Sequence, residues 1–234
     1  MIRLITFDLD DTLWPVRPVI IRAERHMRTH LDRVAPRLNE QLGPDDFARL
    51  RGEVLAETPG TRHDLTTLRR LVTERALAEA GYGDAAALAE EAVRVFLDAR
   101  HDVEYFGAVL DTLEALARRY QLGALSNGNA DIARLGLDRY FSFSHSAASV
   151  GASKPAPDMF ERALQTAGVG PESAVHVGDH PDDDIRGASA VGMRTVWVNH
   201  PGERWAENDV TPTWTIGDLA ELRDLFETTD AGDD

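Results

Sequence analysis

The sequence predicts an α/β protein, with a parallel sheet covered by helices on both faces and an all-helical bundle inserted after the first strand. Short apolar runs ending in polar turns recur at Leu4–Phe7, Leu122–Leu125, Ala174–Val177 and Thr195–Val198. Each is short and rich in aliphatic or β-branched residues, as a strand buried on both faces requires. Helix-like segments lie between them, around 107–119, 130–137, 156–167, 183–191 and 217–227, and this alternation indicates strand–helix–strand units.

Residues from about 18 to 102 break the alternation. Residues 19–34, 44–57, 65–81 and 84–100 carry helix-spaced apolar positions and strong helix formers. Pro44-Asp45 and Gly81-Tyr82-Gly83 punctuate the run. A single crossover needs one helix, so four in succession indicate an inserted domain. The expected division is a core of residues 1–15 and 105–234 and a helical bundle over 16–104. Pro15 and Pro18 at the entrance and Gly107 past the exit suit hinges, and the acidic end TTDAGDD reads as a frayed tail.

The 234 residues are enough for one large domain with a sizeable insertion, and a core of that size needs no staples. There is no cysteine, which excludes disulfides, zinc-thiolate sites and cysteine nucleophiles. No apolar stretch approaches the length of a membrane span, and no basic start leads into an apolar run as in a secretory signal. The expectation is a cytoplasmic protein without a membrane partner. A net charge of −15 disfavours nucleic acid and means that an anionic substrate needs a locally positive pocket. Of the 25 basic residues, Lys154 is the single lysine. Its compact charge suits a crowded site better than the broad fork of arginine.

Four strand ends carry the chemistry. The first is Phe7-Asp8-Leu9-Asp10-Asp11-Thr12, where alternation along extended chain puts Asp8 and Asp10 on one face. Two carboxylates there repel each other unless a cation or proton intervenes. A calcium loop counted from Asp8 would need Gly and Glu where Leu13 and Val19 stand, which excludes it. The second, Ser126-Asn127-Gly128, offers a hydroxyl beside a flexible turn able to approach phosphate. The third, Ser153-Lys154-Pro155, puts the cation at the mouth of a helix whose first turn the proline can set. The fourth, Gly178-Asp179-His180-Pro181-Asp182-Asp183-Asp184, is a dense acidic turn suited to magnesium or to a helix N-terminus.

DLDDT, SNG, SKP and GDHPDDD in this order, with a helical insertion after the first, resemble the haloacid dehalogenase superfamily of phosphohydrolases, over nearly the whole chain. The resemblance implies a Rossmann-like core with a type-one helical cap. It implies Asp8 as nucleophile, forming an aspartyl-phosphate, with Asp10 as general acid and base. Mg2+ would be held by Asp8, Asp10 through its backbone carbonyl, and Asp179, while Asp184 orients Lys154 or reaches the metal. Whether Asp183 or Asp184 touches the metal stays open. Ser126 and Lys154, with Asn127, would bind phosphoryl oxygens. DLDDTLWPVRPVI, SNGNA and HVGD further resemble bacterial phosphatases acting on flavin mononucleotide and on phosphoribitylaminouracil. His180-Pro181 departs from the small or aliphatic residues common in that position. The implied partner is a small phosphorylated metabolite, for a monomer or homodimer.

Trp14 and Arg17, with Arg22, Arg62 and His63, are candidates for substrate contact near the insertion, Trp14 as a stacking surface. Other readings of the same residues are a phosphomutase, another nucleotide or sugar phosphatase, or a phospho-accepting receiver domain. The receiver would carry its acceptor on a middle strand and no large insertion. Dehalogenation has no use for Asp10 as an acid or for magnesium, and a non-catalytic binding protein would not need every chemical position filled.

Overall fold

The computed structural model describes residues 1–200, 202, 205 and 210–231. The chain forms β1 (Leu4–Phe7), α1 (Val16–Val34), α2 (Arg37–Gln41), α3 (Pro44–Glu57), α4 (Leu65–Glu79), α5 (Ala85–Arg100) and α6 (Val109–Ala117). It continues through β2 (Gln121–Ser126), β3 (Phe143–Ser146), α7 (Ala147–Val150), α8 (Asp158–Ala167), β4 (Ala174–Gly178), α9 (Gly187–Ala190), β5 (Arg194–Val198), β6 (Trp214–Ile216) and α10 (Glu221–Ala231). Two compact units result, residues 1–15 with 104–234, and residues 16–103.

The first unit is an α/β sheet of six parallel strands in the order β3-β2-β1-β4-β5-β6. The four strands expected from apolar runs are its middle, and every residue of β1 and β4 is buried. Leu4, Leu125 and Ala174 pack with Met159, Phe160 and Ala163 of α8. Away from that cluster, Tyr120 meets Phe226 of α10 with ring centroids 5.5 Å apart. β1 lies between β2 and β4, where the order reverses, and ligands bind at the carboxyl ends of strands beside such a reversal.

Both edge strands escaped the sequence reading. Phe143–Ser146 reads FSHS and Trp214–Ile216 reads WTI. Edge strands are short and half-solvated, so they lack the apolar run that marks a buried strand. The expected helix over 130–137 is instead a turn. Leu135 N–H donates to Asp131, Gly136 to Ala133 and Leu137 to Ile132, so the spacing drifts from four to three to five residues. Gly136 at φ 68° takes the chain left-handed and ends it. The segment expected over 183–191 is a π-helical turn, Pro181–Arg186, followed by α9. Pro155 does not open a helix; α8 starts three residues later, after Pro157. The expected frayed tail falls partly in α10, and residues 232–234 lie outside the described residues.

The second unit is all-helical. α5 buries Ala89, Ala92, Val93 and Phe96, the spacing of one helix face, and α1 buries Val19, Ala23, Met27, His30 and Leu31 likewise. Asp64 caps α4 by accepting the Thr67 N–H at 2.9 Å, and Asp46 accepts the Gly43 N–H at the start of α3. The Arg69 guanidinium lies 3.6 Å over the Phe96 ring. Among the described residues no helix is long and apolar enough to cross a membrane.

Gly123 in β2 leaves room for its neighbour on β3, since a Cβ there would lie 2.4 Å from the Phe143 ring. Gly123→Ala is expected to lower unfolding stability by about 1–3 kcal/mol, the usual cost of overpacking. Urea denaturation checks this, and an unchanged midpoint would mean that Phe143 moves aside freely.

Candidate active site

The site forms where β1, β2 and β4 end together. The backbone N–H of Asp8 still donates to Val177 O at 2.9 Å, so the Asp8 side chain leaves the sheet at a fixed point. Ser126 closes β2, Asp179 follows β4, and the π-helical turn swings Asp184 back toward the sheet. A π turn places its side chains off the α-helical register, and such turns concentrate at functional sites. Gly178 makes the approach possible, because a Cβ there would lie 2.3 Å from the Asp184 carboxyl carbon.

Lys154 is the hub. Its Nζ donates to Asp8 Oδ1 at 2.7 Å, to Asp184 Oδ1 at 2.5 Å and to the Leu125 carbonyl at 2.9 Å. That uses all three ammonium protons, and the side chain is buried. Asn127 holds the lysine by its backbone, accepting the Lys154 N–H at 2.8 Å and donating to the Lys154 carbonyl at 3.0 Å. The same Asn127 amide reaches Asp183 Oδ2 at 3.2 Å. Asn127 thus braces the Lys154 backbone. Ser126 is buried and its Oγ accepts the Gly128 N–H at 2.9 Å.

Asp184 accepts from three donors: Lys154 and His176 Nε2 (3.0 Å) on Oδ1, and the His180 N–H (3.0 Å) on Oδ2. A carboxylate can only accept, so Nε2 of His176 carries a proton, and Nδ1 lies 2.8 Å from the Thr6 hydroxyl. Sequence reasoning missed Thr6 and His176; the available signal was one polar residue at the centre of each of two buried strands. It also gave no task to Thr12, whose hydroxyl faces Asp179 Oδ1 at 3.0 Å and Asp8 Oδ2 at 3.3 Å.

One carboxylate oxygen each from Asp8, Asp179 and Asp184 lie within 4.8 Å of one another. Burial pushes the Asp8 carboxyl well above the usual range, against the pull of Lys154 and with the repulsion of Asp184 and Asp179 behind it. Burial and the charge of Asp184 push Asp179 up to about 6. Burial also works against ionised Asp184, but Lys154 and His176 outweigh it and hold that carboxyl well below its ordinary value. Burial opposes the Lys154 charge too, yet Asp184 and Asp8 raise its pKa. Burial lowers His176, which is therefore neutral. Three acids face one ammonium, so this all-oxygen group carries a negative excess once all three ionise, which fits a hard divalent cation.

Asp10, half-buried, stands outside this group, and its Oδ1 accepts the Trp14 indole N–H at 3.0 Å. Trp14 has no exposed surface, which corrects its expected role as a stacking surface. Arg17, Arg22, Arg62 and His63 belong to the helical unit. Arg17 and Arg62 are exposed, and Arg22 pairs with Asp102 at 3.4 Å. Asp182 pairs with Arg186 at 2.9 Å.

Asp179 ionises harder in the folded protein than in the unfolded chain, so its contribution is favourable below the ordinary carboxylate pKa and is lost as pH rises through about 6. In the metal-free protein at pH 7 to 8, Asp179→Asn is expected to raise stability by about 1–3 kcal/mol. That gain should fade near pH 4. Thermal unfolding across this range checks it, and a loss at pH 7 would overturn it.

Residues 2–192 match the haloacid dehalogenase-like hydrolase family. The chain is 36% identical to the Escherichia coli 5-amino-6-(5-phospho-D-ribitylamino)uracil phosphatase YigB over 91% of its length and 88% of that protein. It is 30% identical to a glyceraldehyde 3-phosphate phosphatase of Methanopyrus kandleri, covering 96% and 97% of the two chains. A crystal structure described as a 2-haloacid dehalogenase from Pseudomonas syringae superposes with a TM-score of 0.94 at 44% identity, covering 97% of this chain and 99% of that one. Strand order, site and sequence agree that this chain belongs to the haloacid dehalogenase-like hydrolase family.

Proposed function

We propose that this protein is a magnesium-dependent phosphatase that hydrolyses small phosphate monoesters through an aspartyl-phosphate on Asp8. The observation that carries this reading is the Lys154 ammonium bridging Asp8 and Asp184 beside Asp179. Mg2+, held by Asp8, Asp179 and the Asp10 backbone carbonyl, would offset the negative charge of the carboxylates and of the phosphoryl group. Asp184 is occupied by three N–H donors, which favours a role in holding Lys154 over direct ligation.

In the first half-reaction an Asp8 oxygen attacks phosphorus, and the bond to the leaving oxygen breaks as Asp10 gives that oxygen its proton. In the second, water attacks phosphorus, Asp10 takes a water proton, and Asp8 departs as carboxylate. The Ser126 hydroxyl would orient a phosphoryl oxygen, while Lys154 contributes its positive charge to neutralise the group. The helical unit, 16–103, serves as the cap that shapes substrate choice.

The structural relative described as a dehalogenase raises a second reading, displacement of halide from a 2-haloacid. Halide leaves as an anion and needs neither a proton nor a cation. Asp10 and the three-carboxylate group would then have no task, so the site favours phosphate. For the substrate, we favour phosphoribitylaminouracil, on the 36% identity to YigB across most of both chains, with flavin mononucleotide beside it on the motif resemblance alone.

The test is phosphate release from a panel of esters, with and without Mg2+, alongside halide release from 2-chloropropionate. Magnesium-dependent release led by the ribityl esters is expected. A flat profile would remove the substrate assignment, and halide release without phosphate release would replace the reaction. Asp8→Asn should reduce turnover to background in a protein that still unfolds cooperatively, and retained activity would overturn the nucleophile assignment.

A further inference from the structure

Trp14 has no task in the phosphatase chemistry, and its geometry is specific. The turn after β1 closes on itself: Asp11 N–H donates to Trp14 O at 2.8 Å, and Leu13 N–H donates to Leu9 O at 2.8 Å. Asp11 sits at φ 59°, a left-handed conformation that aspartate tolerates better than most residues. That reversal brings residue 14 alongside residue 10, as a single bridge between them records. The indole is wholly buried and its ring meets Tyr105 edge-on at 5.8 Å. Tyr105 is itself tied to the Leu135 carbonyl by its hydroxyl at 3.1 Å.

We propose that Trp14 is a positioning residue for Asp10, whose indole N–H fixes the orientation of the carboxyl group that transfers the proton. An indole has one donor and no acceptor, and a buried donor left unpaired is costly, so a ring that cannot swing pins its partner. The partner is Asp10 Oδ1, at 3.0 Å. With its plane held, the Asp10 carboxyl presents its acidic proton to the leaving oxygen in one direction and takes up the water proton there in the second half-reaction. This inference rests on the phosphatase reading.

The test separates proton donation from general damage by leaving group. With saturating Mg2+, kcat/KM for an alkyl phosphate and for p-nitrophenyl phosphate is compared between wild type and Trp14→Phe. kcat/KM reports the steps up to departure of the leaving group. An alkoxide needs a proton to leave, whereas p-nitrophenolate does not. The expected result is a loss of about tenfold or more for the alkyl ester, a fraction of the full general-acid contribution, and less than about twofold for p-nitrophenyl phosphate. Equal losses on both esters, or none on either, would overturn the proposal. A wild-type protein that releases phosphate from no ester would overturn the phosphatase reading and this inference with it.

If Trp14→Phe does not fold, the half-buried partner is changed instead. In 15N-labelled protein, Asp10→Ala should move the Trp14 indole N–H resonance, with the other three indoles replaced singly by phenylalanine to assign it. An unmoved Trp14 resonance would overturn the proposal.

Discussion

The Lys154 ammonium, buried between Asp8 and Asp184, is the interaction on which the rest of the site depends. A buried ammonium is tolerable only if its protons are matched, and here two carboxylates and the Leu125 carbonyl match all three. The charges do not cancel, because Asp179 adds a third carboxylate to the group. The fold therefore carries a built-in electrostatic deficit at the end of β1. Burial and mutual repulsion raise Asp8 and Asp179, while Asp184 alone is held ionised by its donors. Two carboxylates poised against their charge and one held charged is an arrangement in which a cation and an anionic ligand can bind together.

Much of the surrounding structure serves to keep Lys154 in place. Asn127 grips its backbone from both sides and links that grip to Asp183. His176 stands behind Asp184 and is fixed in turn by Thr6, so a chain of hydrogen bonds runs through β1 and β4 to the ammonium. Gly178 lets the carboxyl of Asp184 come within reach, and the π-helical turn aims it. None of these groups need touch a substrate. Their common effect is to remove the freedom of two flexible side chains before any ligand arrives, a condition for electrostatic stabilisation of a transition state.

The core strands and the long helices were legible because burial and periodicity are written locally. β1 and β4 are apolar throughout, and α1 and α5 repeat their buried positions at helical spacing. The edge strands were not, since FSHS and WTI become strands only by pairing with β2 and β5. The segment over 130–137 had helical composition, but Gly136 turned it after one irregular turn. The acids were visible as residue types at strand ends, whereas Lys154 lies in the loop after α7, beyond an edge strand that the sequence did not reveal. Their division of labour was not visible in the sequence.

By itself, the sequence determined the α/β class and the strand ends at which Asp8 and Asp179 stand, because burial and strand alternation are written locally. Tertiary structure alone decided that Asn127 braces Lys154, that His176 and Thr6 hold Asp184, and that Trp14 is buried with its N–H on Asp10. The physical reason is range. Burial and chain direction follow from neighbours in sequence, whereas a hydrogen bond needs its partner within about 3 Å. Only the packing of strands 100 residues and more apart fixes which donor meets which acceptor, as Lys154 and Asp8 show across 146 positions.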